Sequence, residues 1–126
     1  MWSEKTHKKL LREGLAAFEE EAYALSDCMA ANPELGSAEF ESSKNIVALL
    51  EKYGIEVEYP FAGMATAFKA SINPGGRKKA VFLAEYDALP EIGHGCGHCA
   101  SGAASVLAIL AVNAVKAQLG DVQIDI

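Results

Sequence analysis

No stretch of the chain offers the ~20 uninterrupted apolar residues that a membrane-spanning helix needs. The best candidate, residues 100–115, is broken by Ser101, Gly102, Ser105 and Asn113. The opening segment MWSEKTHKKLLREG is charged where a secretory leader carries its apolar core. A cytoplasmic protein without membrane contact is therefore expected. A surplus of positive charge is also missing. Eleven Lys and Arg against 17 Asp and Glu give a net charge of −6, which argues against nucleic acid as a partner, because that needs a clustered basic face. Lys5, Lys8, Lys9 and Arg12 gather near the start, but Glu4, Glu13, Glu19, Glu20 and Glu21 dilute them, as on a solvated helix face. Cysteine is scarce and odd in number. Cys28, Cys96 and Cys99 exclude a disulfide framework. Cys28 falls on a helical pattern and reads as an inert buried thiol. Proline is sparse too, with none after Pro90.

What is present reads as one globular domain over residues 1–126, since 51% apolar residues are too many for a disordered chain. Leu11, Leu15, Phe18, Ala22, Leu25 and Met29 recur at helical steps, marking one face of a long amphipathic helix. NPELGS interrupts it, and Ser37 can cap a second helix with Phe40, Val47 and Leu50 on its buried face and Gly54 at its end. IEVEY alternates as a half-buried strand does. ATAFKASI is a second strand, with Thr66, Phe68, Ala70 and Ile72 on one side. AVFLAE is a continuous apolar run, expected of a strand covered on both faces. A loop from Tyr86 to His98, a helix over about 100–118 and a last strand, VQIDI, complete the chain. The order helix, helix, three strands, helix, strand predicts an α/β sandwich on a mixed sheet. The sheet is expected to be incomplete at the C-terminus, as in a piece of a longer protein.

The chemistry-bearing letters concentrate in EYDALPEIGHGCGHC. In open α/β sheets, ligands gather beyond the carboxyl ends of the strands, and AVFLAE delivers Glu85, Tyr86 and Asp87 there. Cys96 and His98 are two apart. In an extended segment they point the same way, and Gly93, Gly95 and Gly97 make such backbone accessible. A thiolate and an imidazole converging from one segment form half of a zinc-type ligand set, whereas a catalytic zinc takes about three protein ligands plus water. Asp87 could add a carboxylate or orient an imidazole; equally it could be a turn-forming aspartate. His94 is in phase with the pair and reads as a hydrogen-bonding, substrate-facing or loop-filling residue.

Together, NPELGSAEF, EYDALPEIGHGCGH and the small-residue helix ASGAASVLAILA resemble the M20 metallopeptidase family. The likeness is closest to its amidohydrolase branch, with aminoacylase-like enzymes and p-aminobenzoyl-glutamate hydrolase. The resemblance implies a zinc-peptidase-like α/β catalytic domain, of which this chain is an N-terminal portion without the smaller inserted domain. It implies two divalent metal ions, zinc or manganese with cobalt as a further option, and hydrolysis of N-acyl amino acids, dipeptides or aminobenzoyl-glutamate-like amides. In that branch the cysteine and second histidine of the H-x-C-G-H segment are ligands; they fall here on Cys96 and His98. Asp87 falls near the aspartate that supports the metals, with His94 close by. The metals would lower the pKa of a bridging water and polarise the scissile carbonyl. The general-base glutamate is expected beyond residue 126, so no catalytic residue lies within this chain and the portion is expected to be inactive alone. The residue after the second histidine, usually Asp or Asn in relatives, is Cys99 here.

Two other readings compete. CGHC is a C-x-x-C placed before a helix, where thiol pKa values fall, so Cys96 and Cys99 could serve a thiol–disulfide oxidoreductase. Gly95 in place of an aromatic residue, the lack of a proline after Pro90 and the two opening helices count against it. The third reading is a non-catalytic interaction remnant, with homo-oligomerisation or pairing through an open sheet edge.

Overall fold

The computed structural model describes residues 3–126. Helix α1 spans Glu4–Ala31, opened by Ser3, whose hydroxyl accepts the Thr6 N–H. Its buried residues are Gly14, Ala22, Leu25 and Met29, whereas Leu11 and Leu15 are 37% and 40% exposed. The expected apolar stripe is therefore displaced in its first half. The cause is close packing on α3: a Cβ at Gly14 would lie 3.2 Å from the Cα of Ala111, so the contact line runs through the glycine and the leucines flank it.

Helix α2 spans Phe40–Lys52 and buries Ser42, Ser43, Ile46, Val47 and Leu50. Phe40, expected inside, is 49% exposed. Ser37 does not cap this helix. Its φ is +69°, and the first free N–H groups, those of Glu41 and Ser42, are taken by the carboxylate of Glu34 at 2.8–3.4 Å. A carboxylate suits the positive end of a helix, so the turn before α2 is arranged to bring Glu34 back. At the other end Gly54, at φ +72°, donates to Glu51 O at 2.9 Å while Ile55 donates to Leu50 O at 3.2 Å. This paired arrangement satisfies the last carbonyls.

The four strands are β1 (Val57–Glu58), β2 (Lys69–Ile72), β3 (Lys78–Val81) and β4 (Val122–Asp125). They lie in the order β1-β2-β4-β3. β1 and β2, and β2 and β4, are antiparallel, while β3 and β4 are parallel. The molecule is thus α/β with a mixed sheet, as expected. Ala70 and Ile72 of β2 enter the core with Met29, Ile46, Leu50, Val106 and Ile109.

β3 departs from expectation. It is an edge strand with all four residues exposed, and Leu83 just beyond it is 78% exposed. A strand is buried on both faces only where other elements pack above and below the sheet, and the exposure of all four β3 residues shows that neither face is so covered here. Helix α3 spans His98–Ala114, two residues earlier than expected at its start, and connects β3 to β4. Cys28 is exposed rather than buried, because α1 turns that position towards solvent near Asn45, whose amide donates to the sulfur at 3.7 Å. No helix among the described residues is long and apolar enough to cross a membrane.

Candidate metal-ligating site

The chain leaves the β3–β4 ladder at Phe82, whose N–H still reaches Asp125 O at 2.9 Å. From there to Ala88 it has no regular structure, and its backbone is held by other means. Ser105 of α3 donates its hydroxyl to Leu83 O at 2.6 Å. Gly102, one turn earlier, presses on the carbonyl two residues further on: a Cβ there would stand 2.5 Å from Glu85 O. The Tyr86 hydroxyl donates to Thr66 O, and Ala88 N–H donates to Glu34 O at 2.7 Å. A partly buried irregular segment needs such partners, since each unpaired buried backbone group costs about as much as a lost hydrogen bond.

The loop that follows closes on itself through Leu89 and Gly93, which exchange backbone bonds at 2.9 and 3.1 Å. His94–Cys96 form one turn of 3-10 helix, Gly97 sits at φ +84°, and α3 begins at His98. Gly97 is the reversal that lets one helical turn give way to another of different axis. The backbone from Cys96 to His98 is therefore not extended, contrary to the premise on which the two side chains were expected to share a direction.

Asp87 is nevertheless common to both. Its Oδ1 lies 2.7 Å from His98 Nδ1, and its carbonyl oxygen lies 3.7 Å from Cys96 Sγ. An ionised carboxylate only accepts, so Nδ1 carries the proton and the neutral ring presents its lone pair at Nε2. Nε2 lies 3.5 Å from Glu85 Oε2. The hydrogen bond to Asp87 raises the His98 pKa above the ordinary imidazole value; burial opposes this, and the charges of Asp87 and Glu85 add to it. Cys96 is exposed, and Cys99, in the first turn of α3, is half-buried. His94 stands apart. Both its ring nitrogens are buried without a hydrogen-bond partner among the described residues.

A thiol, an imidazole and a carboxylate that fixes the ring fit part of a zinc-type coordination sphere by the chemistry of their donors. Among the described residues no group of three or more His, Cys, Asp or Glu is arranged to hold an ion. Glu85 was not singled out as a site residue from the sequence, because a lone glutamate after a strand carries no motif. Its proximity to Nε2 comes from the fold.

No protein-family model matches the chain. It is 35% identical over 100 residues to Xaa-Arg dipeptidase of Mus musculus, an alignment that takes in 72% of this chain and 23% of that protein. The chain therefore spans about a quarter of the length of the relative it matches, and its relation to a peptidase is distant.

Proposed function

We propose that the chain supplies part of the metal site of an M20-type hydrolase of amide bonds. Cys96 and His98 are the ligands, and Asp87 holds the His98 ring. The observation that carries this is the Asp87–His98 bond at 2.7 Å, with the Cys96 sulfur against the same aspartate. Asp87 keeps the proton on Nδ1 and leaves Nε2 as the donor atom, the arrangement that metal-ligating histidines generally show. Glu85, 68% exposed, is free to turn aside from Nε2. Thiolate ligation favours zinc; manganese and cobalt are the other candidates, two ions being taken in all. Such ions, when bound, lower the pKa of water and polarise a carbonyl. By the same family resemblance, the remaining ligands and the proton-transferring glutamate are expected outside these 126 residues. The name of the similar dipeptidase favours dipeptides among the candidate substrates.

Metal analysis tests the proposal. After loading with zinc and exhaustive dialysis, the wild-type chain retains zinc and Cys96→Ser retains clearly less. Equal contents in the two proteins contradict the ligand assignment.

A further inference from the structure

One buried ionisable group takes no part in the site as described. Glu39 is 7% exposed, and a carboxylate seldom tolerates such burial without partners. Its Oε2 accepts the Thr66 hydroxyl at 2.7 Å. On the other side of the same residue, the Thr66 carbonyl accepts the Tyr86 hydroxyl. Tyr86 is 8% exposed and its ring stacks on Phe68 with centroids 6.0 Å apart. Burial pushes its pKa up to about 12, so the hydroxyl remains a donor at any ordinary pH. Ala88, the other neighbour of Asp87, bonds to Glu34 O at 2.7 Å. Glu34 and Glu39 both belong to the turn between α1 and α2, and the Glu34 carboxylate is itself fixed by capping α2.

The residues on either side of Asp87 therefore hang, by separate routes, from one turn. We infer that Glu39, Thr66 and Tyr86 are positioning residues that fix Asp87 and, through it, the orientation of the His98 ring. This rests on the functional reading given above, and it accounts for the joint presence of NPELGSAEF and EYDALP, segments distant in sequence, as parts of one device. A free Asp87 segment would let the carboxylate drift from Nδ1. Because a hydrogen bond weakens steeply with distance and angle, a small displacement suffices to release the ring.

The test uses the full chain in four forms: wild type, Tyr86→Phe, Glu39→Gln and the core variant Ile109→Val. Tyr86→Phe removes the hydroxyl and keeps the ring on Phe68. Glu39→Gln keeps an acceptor for Thr66. Ile109→Val lowers stability at a core residue that takes no part in the relay's hydrogen bonds. The first readout is the nitrogen–proton correlation spectrum of the His98 ring without metal. Wild type and Glu39→Gln hold the proton on Nδ1, and Tyr86→Phe shows a mixture with the Nε2–H form. The second is titration with Co2+ alone, in which Tyr86→Phe binds about threefold to tenfold more weakly than wild type, at or below the lower end of the usual effect of altering a ligand's supporting partner.

Identical spectra and affinities for Tyr86→Phe and wild type overturn the inference. So does an equal change in Ile109→Val, which would mark both as consequences of lost stability. Failure of the wild-type chain to bind Co2+ overturns the functional reading instead, and the tautomer readout still decides whether the relay positions Asp87.

Discussion

Asp87 makes two contacts within the candidate site, its carboxylate on the His98 ring and its carbonyl against the Cys96 sulfur. The residue types were legible in the sequence, since Asp87, Cys96 and His98 are the letters such chemistry requires. The geometry was not. Spacing alone implied an extended Cys96–His98 segment, whereas the chain makes a 3-10 turn, reverses at Gly97 and starts a helix. The two side chains meet through a third residue, nine to eleven positions earlier, which no local pattern encodes. The His98–Asp87 pair has a pH signature. The folded-state pKa of His98 is raised above 6.5, so the pair stabilises the fold fully below that value and loses the contribution as pH rises through the folded pKa. In urea unfolding of metal-free protein, Asp87→Asn is expected to be less stable than wild type, with a gap that is largest on the acid side of 6.5 and narrows as pH rises. A gap that widens with pH contradicts the assignment. If the proposed ligands bind a metal, its affinity is expected to move the opposite way with pH, because a ligand must shed its proton.

At the scale of elements, the site is carried by an irregular segment that other elements clamp. Helix α3 supplies Ser105 and the Gly102 backbone, the turn before α2 supplies Glu34 and Glu39, and the approach to β2 supplies Thr66. The helices and strands themselves were legible from periodicity, but their ends were not. Ser37 looked like the cap of α2, yet Glu34 caps it from outside the first turn, and the later part of AVFLAE, residues 82–85, lies outside β3. Such ends are decided by contacts between elements. Gly102→Ala tests the clamp. A Cβ placed 2.5 Å from Glu85 O forces α3 and the Glu85–Asp87 segment apart. The expected cost is about 1–3 kcal/mol, the range for overpacking, measured by chemical denaturation, and the His98 ring signals are expected to shift with it. An unchanged stability shows that the close approach is not required.

At the scale of the whole molecule, the element order and the mixed α/β class followed from the sequence, but the strand order did not. That order depends on β4 entering between β2 and β3, a pairing between segments more than forty residues apart. This is why AVFLAE, apolar enough for the centre of a sheet, lies at and beyond an edge instead. Lys78 and Lys79 open that edge strand, and charged residues there discourage pairing with another chain. The placement of the core makes a contrast measurable. Ile109 is fully buried and Leu83 is 78% exposed. Ile109→Ala is expected to cost about 2–5 kcal/mol, and Leu83→Ala about 0.5 kcal/mol or less, as for surface positions. Comparable losses at both positions would show Leu83 to be covered in solution.

A single cation held by both Cys96 and His98 has a signature in X-ray absorption of the zinc-loaded full chain. The predicted spectrum has a single sulfur at about 2.3 Å and imidazole nitrogen at about 2.0–2.1 Å, with the sulfur lost in Cys96→Ser. A shell without sulfur, or one with two sulfurs drawn from Cys96 and Cys99, contradicts it.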